Sequence, residues 1–348
     1  MEFTDFDAEL ADWNELRATT PFSDLLVGNG ASMAVWKNFS YYSLFEESET
    51  TRNKPLSQTE LAVFKAMGTT NFEPILSALK TAMRVNAALT ISSSSPRNRY
   101  FAIKEALIHA VRSVHIPWRL VEQKSLLRIS QELSQYRNVF SSNYDLLCYW
   151  AVMQAPEKFN DLFGDDATFD PHRSIDNATR MLYLHGGLHL VKNLDGSVRK
   201  LLSSESTLLG SFAINALDDV PIFISEDTSA NKVKMIRHTD YLGYCNAQLA
   251  TPKEALCVFG HALGKQDAHI VEAIKLANIK TIAFSIVRRS DGFIQQQKRH
   301  FSSLFAGQGV TLKFYDAKTH PLGDPALSVS IKDLNIPLPS PKQSGSRH

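Results

Sequence analysis

The period of the hydrophobic pattern changes several times along the chain, and each change marks an element. Phe3, Phe6, Leu10, Trp13 and Leu16 recur at helical spacing and predict a short amphipathic lead-in that packs on the core. Leu25, Leu26 and Val27 then run without interruption, as a buried strand does, and stop at Gly28, Asn29 and Gly30 before Ala31 and Ser32 open a helix. From about 57 to 135 apolar residues recur three and four apart in QTELAVFKAMG, FEPILSALKTAMRVNAAL, RYFAIKEALIHAVRSVHI and EQKSLLRISQELSQY, which predicts a helical insertion after the first strand–helix unit. Turn-rich pieces at 68–71 and 92–96 separate these helices.

Strand-like runs return at 138–141, where the chain passes through Asn143, Tyr144 and Asp145 into an apolar helix. MLYLHGGLHLV predicts a strand broken at His185, Gly186 and Gly187, and NLDGSV a hairpin turn at Asp195 and Gly196. A polar helical region follows over 203–217, then a strand over 221–226 and a helix over 232–250 in which Tyr241 and Tyr244 pack. Strands at 256–259 and 281–287 and the closing VTLKFYDA alternate with helices at 267–277 and 292–304. Such alternation predicts an α/β fold, a Rossmann-like, mostly parallel sheet with helices on both faces. It is expected as one domain over 1–336, ahead of a disordered tail rich in Pro, Ser and Lys at 337–348.

Charge adds exclusions. Across 348 residues, Lys+Arg of 37 against Asp+Glu of 36 leaves +1, so no global field holds nucleic acid or an anionic membrane. The short basic spots at Arg97 and Arg99, Arg288 and Arg289, and Lys298 and Arg299 read as solvated faces. Cys148, Cys245 and Cys257 form no CxxC, neither zinc ribbon nor disulfide framework, so no metal is expected and the setting expected is reduced and cytoplasmic. The acidic start MEFTDFDAELADW is not a signal peptide, and no apolar run approaches the ~18 residues of a membrane span.

The candidate chemistry lies at strand ends. Glycines 28 and 30 permit close approach to a ligand, and a helix opening behind them attracts phosphate, so the turn predicts a pyrophosphate site. Asn143 and Asp145 end a strand where open sheets handle ligands, or they cap the following helix. His185 beside two glycines has an open approach to its ring, and an ordinary imidazole pKa of ~6.5 suits a general base. His189, His109 and His115 read as structural, and Trp36, Phe39, Tyr41, Tyr42 and Phe45 as a packed loop or a cover for the nicotinamide end of a dinucleotide. Asp267 reads as a helix cap or turn residue.

In order, GNGAS at 28–32, SSNYD at 141–145, LHGG at 184–187 and FGHALGKQD at 259–267 resemble the motifs of the Sir2-like superfamily. These are GAGxS after the first strand, the N-x-D of a TQNID-type turn, a catalytic HG, and a late loop of glycine and small residues. The late segment is similar to the bacterial SIR2-like branch, and GNGAS with FSYYSLFE resembles the DUF4917 group.

The resemblance implies that Gly28, Gly30 and Ser32 hold the NAD pyrophosphate, with Asn29 in the same turn. It implies that Asn143 orders the nicotinamide ribose and a water, and that Asp145 fixes the turn or the nicotinamide end. His185 becomes the general base, and Gly260 and His261 the adenosine side. Asn29 departs from the usual small residue, for a ribose contact or a helix cap; the early arginine motif and the zinc ribbon of protein deacylases are absent. What is implied is an NAD⁺ hydrolase of bacterial antiphage defence, releasing nicotinamide and ADP-ribose. Its activity is expected to be controlled by homo-oligomerisation or a separately encoded partner such as a HerA-like ATPase. A module sensing NAD or ADP-ribose without turnover is the alternative; an NAD-dependent dehydrogenase is weaker, because the turn lacks GxGxxG spacing.

Overall fold

The uninterrupted apolar runs become strands buried on both faces, as the interior of a parallel sheet requires. In the computed structural model, which describes residues 6–39, 44–50, 55–193, 197–201, 221–224 and 229–329, they form a seven-stranded, all-parallel sheet. Its strands are β1 (Asp24–Val27), β2 (Asn138–Ser141), β3 (Phe159–Asn160), β4 (Thr179–Tyr183), β8 (Ala255–Phe259), β9 (Thr281–Ile286) and β10 (Thr311–Asp316). The order is β10-β9-β8-β1-β2-β4-β3. The chain builds outward from β1 on one side, then returns through β8 to build the other, so the direction reverses between β1 and β8. That reversal opens the crevice where sheets of this type bind ligands, and the fold is Rossmann-like. Strands β5 (Gly186–Lys192), β6 (Val198–Lys200) and β7 (Pro221–Phe223) make a second, antiparallel sheet in the order β6-β5-β7.

Helices surround the main sheet: α1 (Trp13–Thr19), α2 (Asn29–Val35), α3 (Leu44–Thr50), α4 (Gln58–Met67), α5 (Phe72–Ala88), α6 (Ser94–Val114), α7 (Gln123–Leu133) and α8 (Leu147–Val152), then α9 (Ser229–Arg237), α10 (Asp240–Leu249), α11 (Ala268–Leu276) and α12 (Asp291–Leu304). Helices α4 to α7 occupy the stretch expected as an insertion, and local chemistry sets their ends. Ser57 and Glu60 close a capping box at the start of α4, and Gly68, at φ 63°, ends it in the left-handed conformation. Among the described residues no helix is long and apolar enough to cross a membrane.

Several expectations are corrected. Among the described residues the lead-in is helical only from Trp13, Phe3 lying outside them; ahead of it Ala11 pairs with Tyr315 on the edge of β10, and Asp12 accepts the Asn14 N–H as the N-cap, so the backbone finds partners in the sheet instead. The helix expected over 232–250 is two, because Thr239 is extended (φ −136°, ψ 113°) and turns the chain between α9 and α10. The strand expected over 221–226 is described only as β7. Lys298 and Arg99 are not on solvated faces: Lys298 is buried against Asp7 Oδ1 (2.5 Å) and the Glu9 carbonyl (2.6 Å), and Arg99 pairs with buried Glu60. Tyr41, Tyr42, Asp195, Gly196, the region 203–217 and the tail lie outside the described residues.

Candidate functional site

Strand register brings the predicted motifs to one level. Val27 pairs with Ser141 on one side and Phe259 on the other, and Ser141 pairs with Tyr183. The carboxyl ends of β8, β1, β2 and β4 therefore stand in a row, and Gly260, Gly28, Asn143 and His185 leave the sheet side by side at its carboxyl edge.

At the reversal point the two glycine turns interlock. Gly28 N–H donates to the Phe259 carbonyl (2.9 Å) and Gly30 N–H to the Gly260 carbonyl (2.8 Å). A Cβ on Gly28 would stand 2.6 Å from His261 Cα, one on Gly30 2.6 Å from Gly260 Cα, and one on Gly260 2.7 Å from the Ala31 nitrogen. Gly260 also has φ 68°, which side chains rarely adopt. The absence of Cβ atoms thus lets one backbone lie on another, and the Gly28 and Gly30 N–H groups are spent on β8 and the turn that follows it. Gly28 caps α2, whereas Asn29 does not; its Nδ2 donates to the Phe39 carbonyl at 2.8 Å, tying the helix to the loop behind it.

Beneath this turn lies a buried polar triad. Asn143 Nδ2 donates to the Gly28 carbonyl (3.1 Å) and to Ser32 Oγ (2.9 Å); Ser32 Oγ in turn donates to Asp145 Oδ2 (2.6 Å). Asp145 Oδ1 accepts the Leu147 N–H at 2.8 Å, so it fixes the local turn; no side-chain cap holds α8. Since a carbonyl can only accept, the Gly28 oxygen fixes which way the Asn143 amide faces. Its Oδ1 is buried and has no hydrogen-bond partner among the described residues. An orphaned buried acceptor costs ~1–3 kcal/mol. Ser32, wholly buried, acts on this triad and presents nothing to the cleft.

His185 sits at the hinge between the two sheets. Gly186, at φ 73°, turns the chain there; a Cβ on it would stand 2.2 Å from the Ile222 carbonyl oxygen. His185 hydrogen-bonds to the Ser142 backbone, and its Nε2 faces His269 Nε2 at 2.9 Å. His269 Nδ1 faces Ser229 Oγ at 3.4 Å, and Lys232 Nζ, buried, donates to Asp267 Oδ1 at 2.8 Å. Burial, then the Lys232 cation, holds the His185 imidazole well below the ordinary histidine value, a weaker base than the sequence suggested. Burial likewise pushes His269 down to about 4 and lowers His261, whose Nδ1 accepts the Leu263 N–H at 3.0 Å. A cavity of about 360 Å³ opens between α9, α10 and α11, with His269 and Ser229 in its wall.

Gly28, Asn143, His185 and Gly260, with His261, are brought together; Ser32 and Asp145 lie behind them. Asp267 stands at the start of α11 with no cap bond, its carboxylate given to Lys232. His269, Ser229 and Lys232 are the residues that sequence reasoning missed. His269 follows Asp267 in a D-x-H pattern, the one local hint of it. The structural histidines behave as expected: His115 Nε2 accepts the Leu146 N–H at 3.0 Å, and His189 stacks on Tyr149. Trp36 and Phe39 are buried and Phe45 packs on Phe64. The three cysteines are free and buried, with Cys148 and Cys245 pushed up to about 12 by burial.

No curated protein matches the chain. A family model described as "Domain of unknown function (DUF4917)" matches residues 25–322, a span that takes in all four strand ends of the site, and the chain belongs to that family.

Proposed function

We propose that the protein is an NAD⁺ hydrolase of the SIR2-like class, releasing nicotinamide and ADP-ribose. The observation that carries this reading is the orphaned Asn143 Oδ1, buried past the end of β2, the strand next to β4, whose end carries His185. An acceptor fixed in that direction suits a ribose hydroxyl or a water. The chemistry asks little more. As the bond from ribose C1′ to the pyridinium nitrogen breaks, its electron pair neutralises nicotinamide, and water adds to the oxocarbenium-like carbon. Asn143 positions, and the proton leaving water goes to His185 Nε2 once His269 has swung away. Gly28, Gly30 and Gly260 shape the floor, with Ser32 and Asp145 holding Asn143.

NAD⁺ depletion would make the protein an effector of antiphage defence. Its control would come from homo-oligomerisation or a separately encoded partner such as a HerA-like ATPase. The contact that closes His185 Nε2 against His269 also favours a second reading, a module that senses NAD or ADP-ribose without turnover.

Purified protein incubated with NAD⁺ is expected to release nicotinamide, with Asn143→Ala and His185→Ala each lowering the rate by about 100-fold or more. Release that survives both substitutions would overturn the assignment. Tight binding of NAD⁺ with no nicotinamide would favour the sensor.

A further inference from the structure

The two imidazoles at the sheet hinge point their Nε2 atoms at each other, and one proton must lie between them for the contact to be attractive. A pair of inward-facing imidazole nitrogens is also what a transition-metal ion requires. Asp267 completes the set: one nitrogen from each of His185 and His269 and a carboxylate oxygen of Asp267 all lie within 4.8 Å of one another. We infer that His185, His269 and Asp267 form a binding site for a divalent cation of the zinc class, with three protein ligands and an open fourth position.

The argument rests on what stands behind each ligand. Metal-bound histidines have the other ring nitrogen held by an oxygen, and ligating carboxylates are themselves hydrogen-bonded. Here the Ser142 backbone holds the His185 ring, Ser229 Oγ faces His269 Nδ1, and Lys232 holds Asp267 Oδ1, leaving Oδ2 to turn to an ion. All three outer partners are in place without a metal. Tetrahedral zinc at ~2.1 Å sets its ligand atoms roughly 3.4 Å apart, so the imidazoles open by about half an ångström while the carboxylate closes in. The proton displaced from between the rings moves to His269 Nδ1, where Ser229 Oγ accepts it. The cavity of about 360 Å³ that has His269 in its wall gives a way in. Two histidines and a carboxylate favour zinc over magnesium or calcium, which prefer all-oxygen sites.

Zinc here takes the His185 lone pair that nicotinamide release needs, so the metal acts as a restraint. That consequence rests on the proposed function; the binding does not. Full-length protein freed of metal with EDTA and titrated with zinc chloride is expected to bind one zinc per chain by calorimetry, and cobalt(II) to give the visible bands of a tetrahedral site. His269→Ala, on the half-buried first turn of α11, is expected to weaken zinc at least tenfold and abolish the cobalt bands. Asp267→Asn does the same, while His109→Ala, on α6, leaves both unchanged. Wild-type protein that takes up no stoichiometric zinc, or folded His269→Ala protein that binds as tightly as wild type, would overturn the site. Zinc is further expected to stop nicotinamide release and EDTA to restore it. Stoichiometric zinc without inhibition leaves the site standing and removes His185 from the reaction.

Discussion

His189 is the sharpest test of how the core treats a titratable ring. It is 1% exposed, with its ring centroid 4.7 Å from that of Tyr149 and 4.4 Å from that of Tyr183. Burial, with the Lys200 cation adding to it, pushes its pKa from 6.5 down to about 3; Lys200 itself is paired with Asp161 at 2.5 Å. Between those two values the unfolded chain carries a proton that the folded protein refuses. Stability is therefore complete above pH 6.5 and lost as pH falls, by about 1.4 kcal/mol per pH unit, so about 2.7 kcal/mol is gone by pH 4.5. Against a typical total of ~5–15 kcal/mol this is a large share. His189→Phe cannot take up the proton. Its larger ring must fit between Tyr149 and Tyr183, and a tight core charges ~1–3 kcal/mol for such overpacking at every pH. The gap between wild type and variant in urea unfolding, followed by tryptophan fluorescence from pH 7.5 to 4.5, isolates the proton. Below pH 6.5 that gap should close by about 1.4 kcal/mol per unit. A gap constant with pH would refute the reasoning. His320 is also held at about 3, but it faces Glu132 at 3.6 Å, so its titration is not read singly.

Gly260→Ala and Gly68→Ala form a matched pair, since both glycines have positive φ but only Gly260 has backbone against it. Gly68→Ala should cost about 1 kcal/mol. Gly260→Ala should cost at least twice that in urea unfolding and lower NAD⁺ affinity, and equal losses would deny the interlock. Burial raises the Glu132 carboxyl above its ordinary value, although Tyr136 Oη donates to it at 2.8 Å and Arg17 lies 3.3 Å away. The stability it contributes is full below pH 4.5 and is lost as pH rises through the folded value. Glu132→Gln should therefore raise the melting temperature at pH 7 and leave it little changed at pH 4; a drop at pH 7 would show that the ion pair outweighs burial.

How much of this was legible follows from the range of each signal. The apolar core of β1, Leu25 to Val27, could be read directly, because burial on both faces leaves an uninterrupted apolar run, and the strand at 138–141 from the pair Val139 and Phe140 between polar ends. The level shared by Gly28, Asn143, His185 and Gly260 followed from placing each at a strand end. The Thr239 break escaped because a single β-branched residue barely disturbs a helical pattern. The contacts between His185 and His269, 84 residues apart, and between Lys232 and Asp267, 35 apart, leave no periodicity to read.

The glycines and Asn143 show how residues can be found in the sequence without their structural partners. A ligand and a neighbouring backbone both demand a missing Cβ, so GNG announces close approach without saying by what. The structure answers with Gly260, and in doing so spends the N–H groups that phosphate recognition would use. Asn143 Oδ1 is left there as a buried acceptor without a partner among the described residues. Because the Gly28 carbonyl and Ser32 Oγ take both hydrogen bonds from Asn143 Nδ2, Oδ1 can satisfy only a group that brings its own hydrogen. Under the proposed function that group is a hydroxyl or a water. Asn143→Asp keeps the shape but sets one carboxylate oxygen, in the place of Nδ2, against the Gly28 carbonyl, which cannot donate, so it should lower stability in urea unfolding and weaken ligand binding together; unchanged stability would refute the assigned amide orientation.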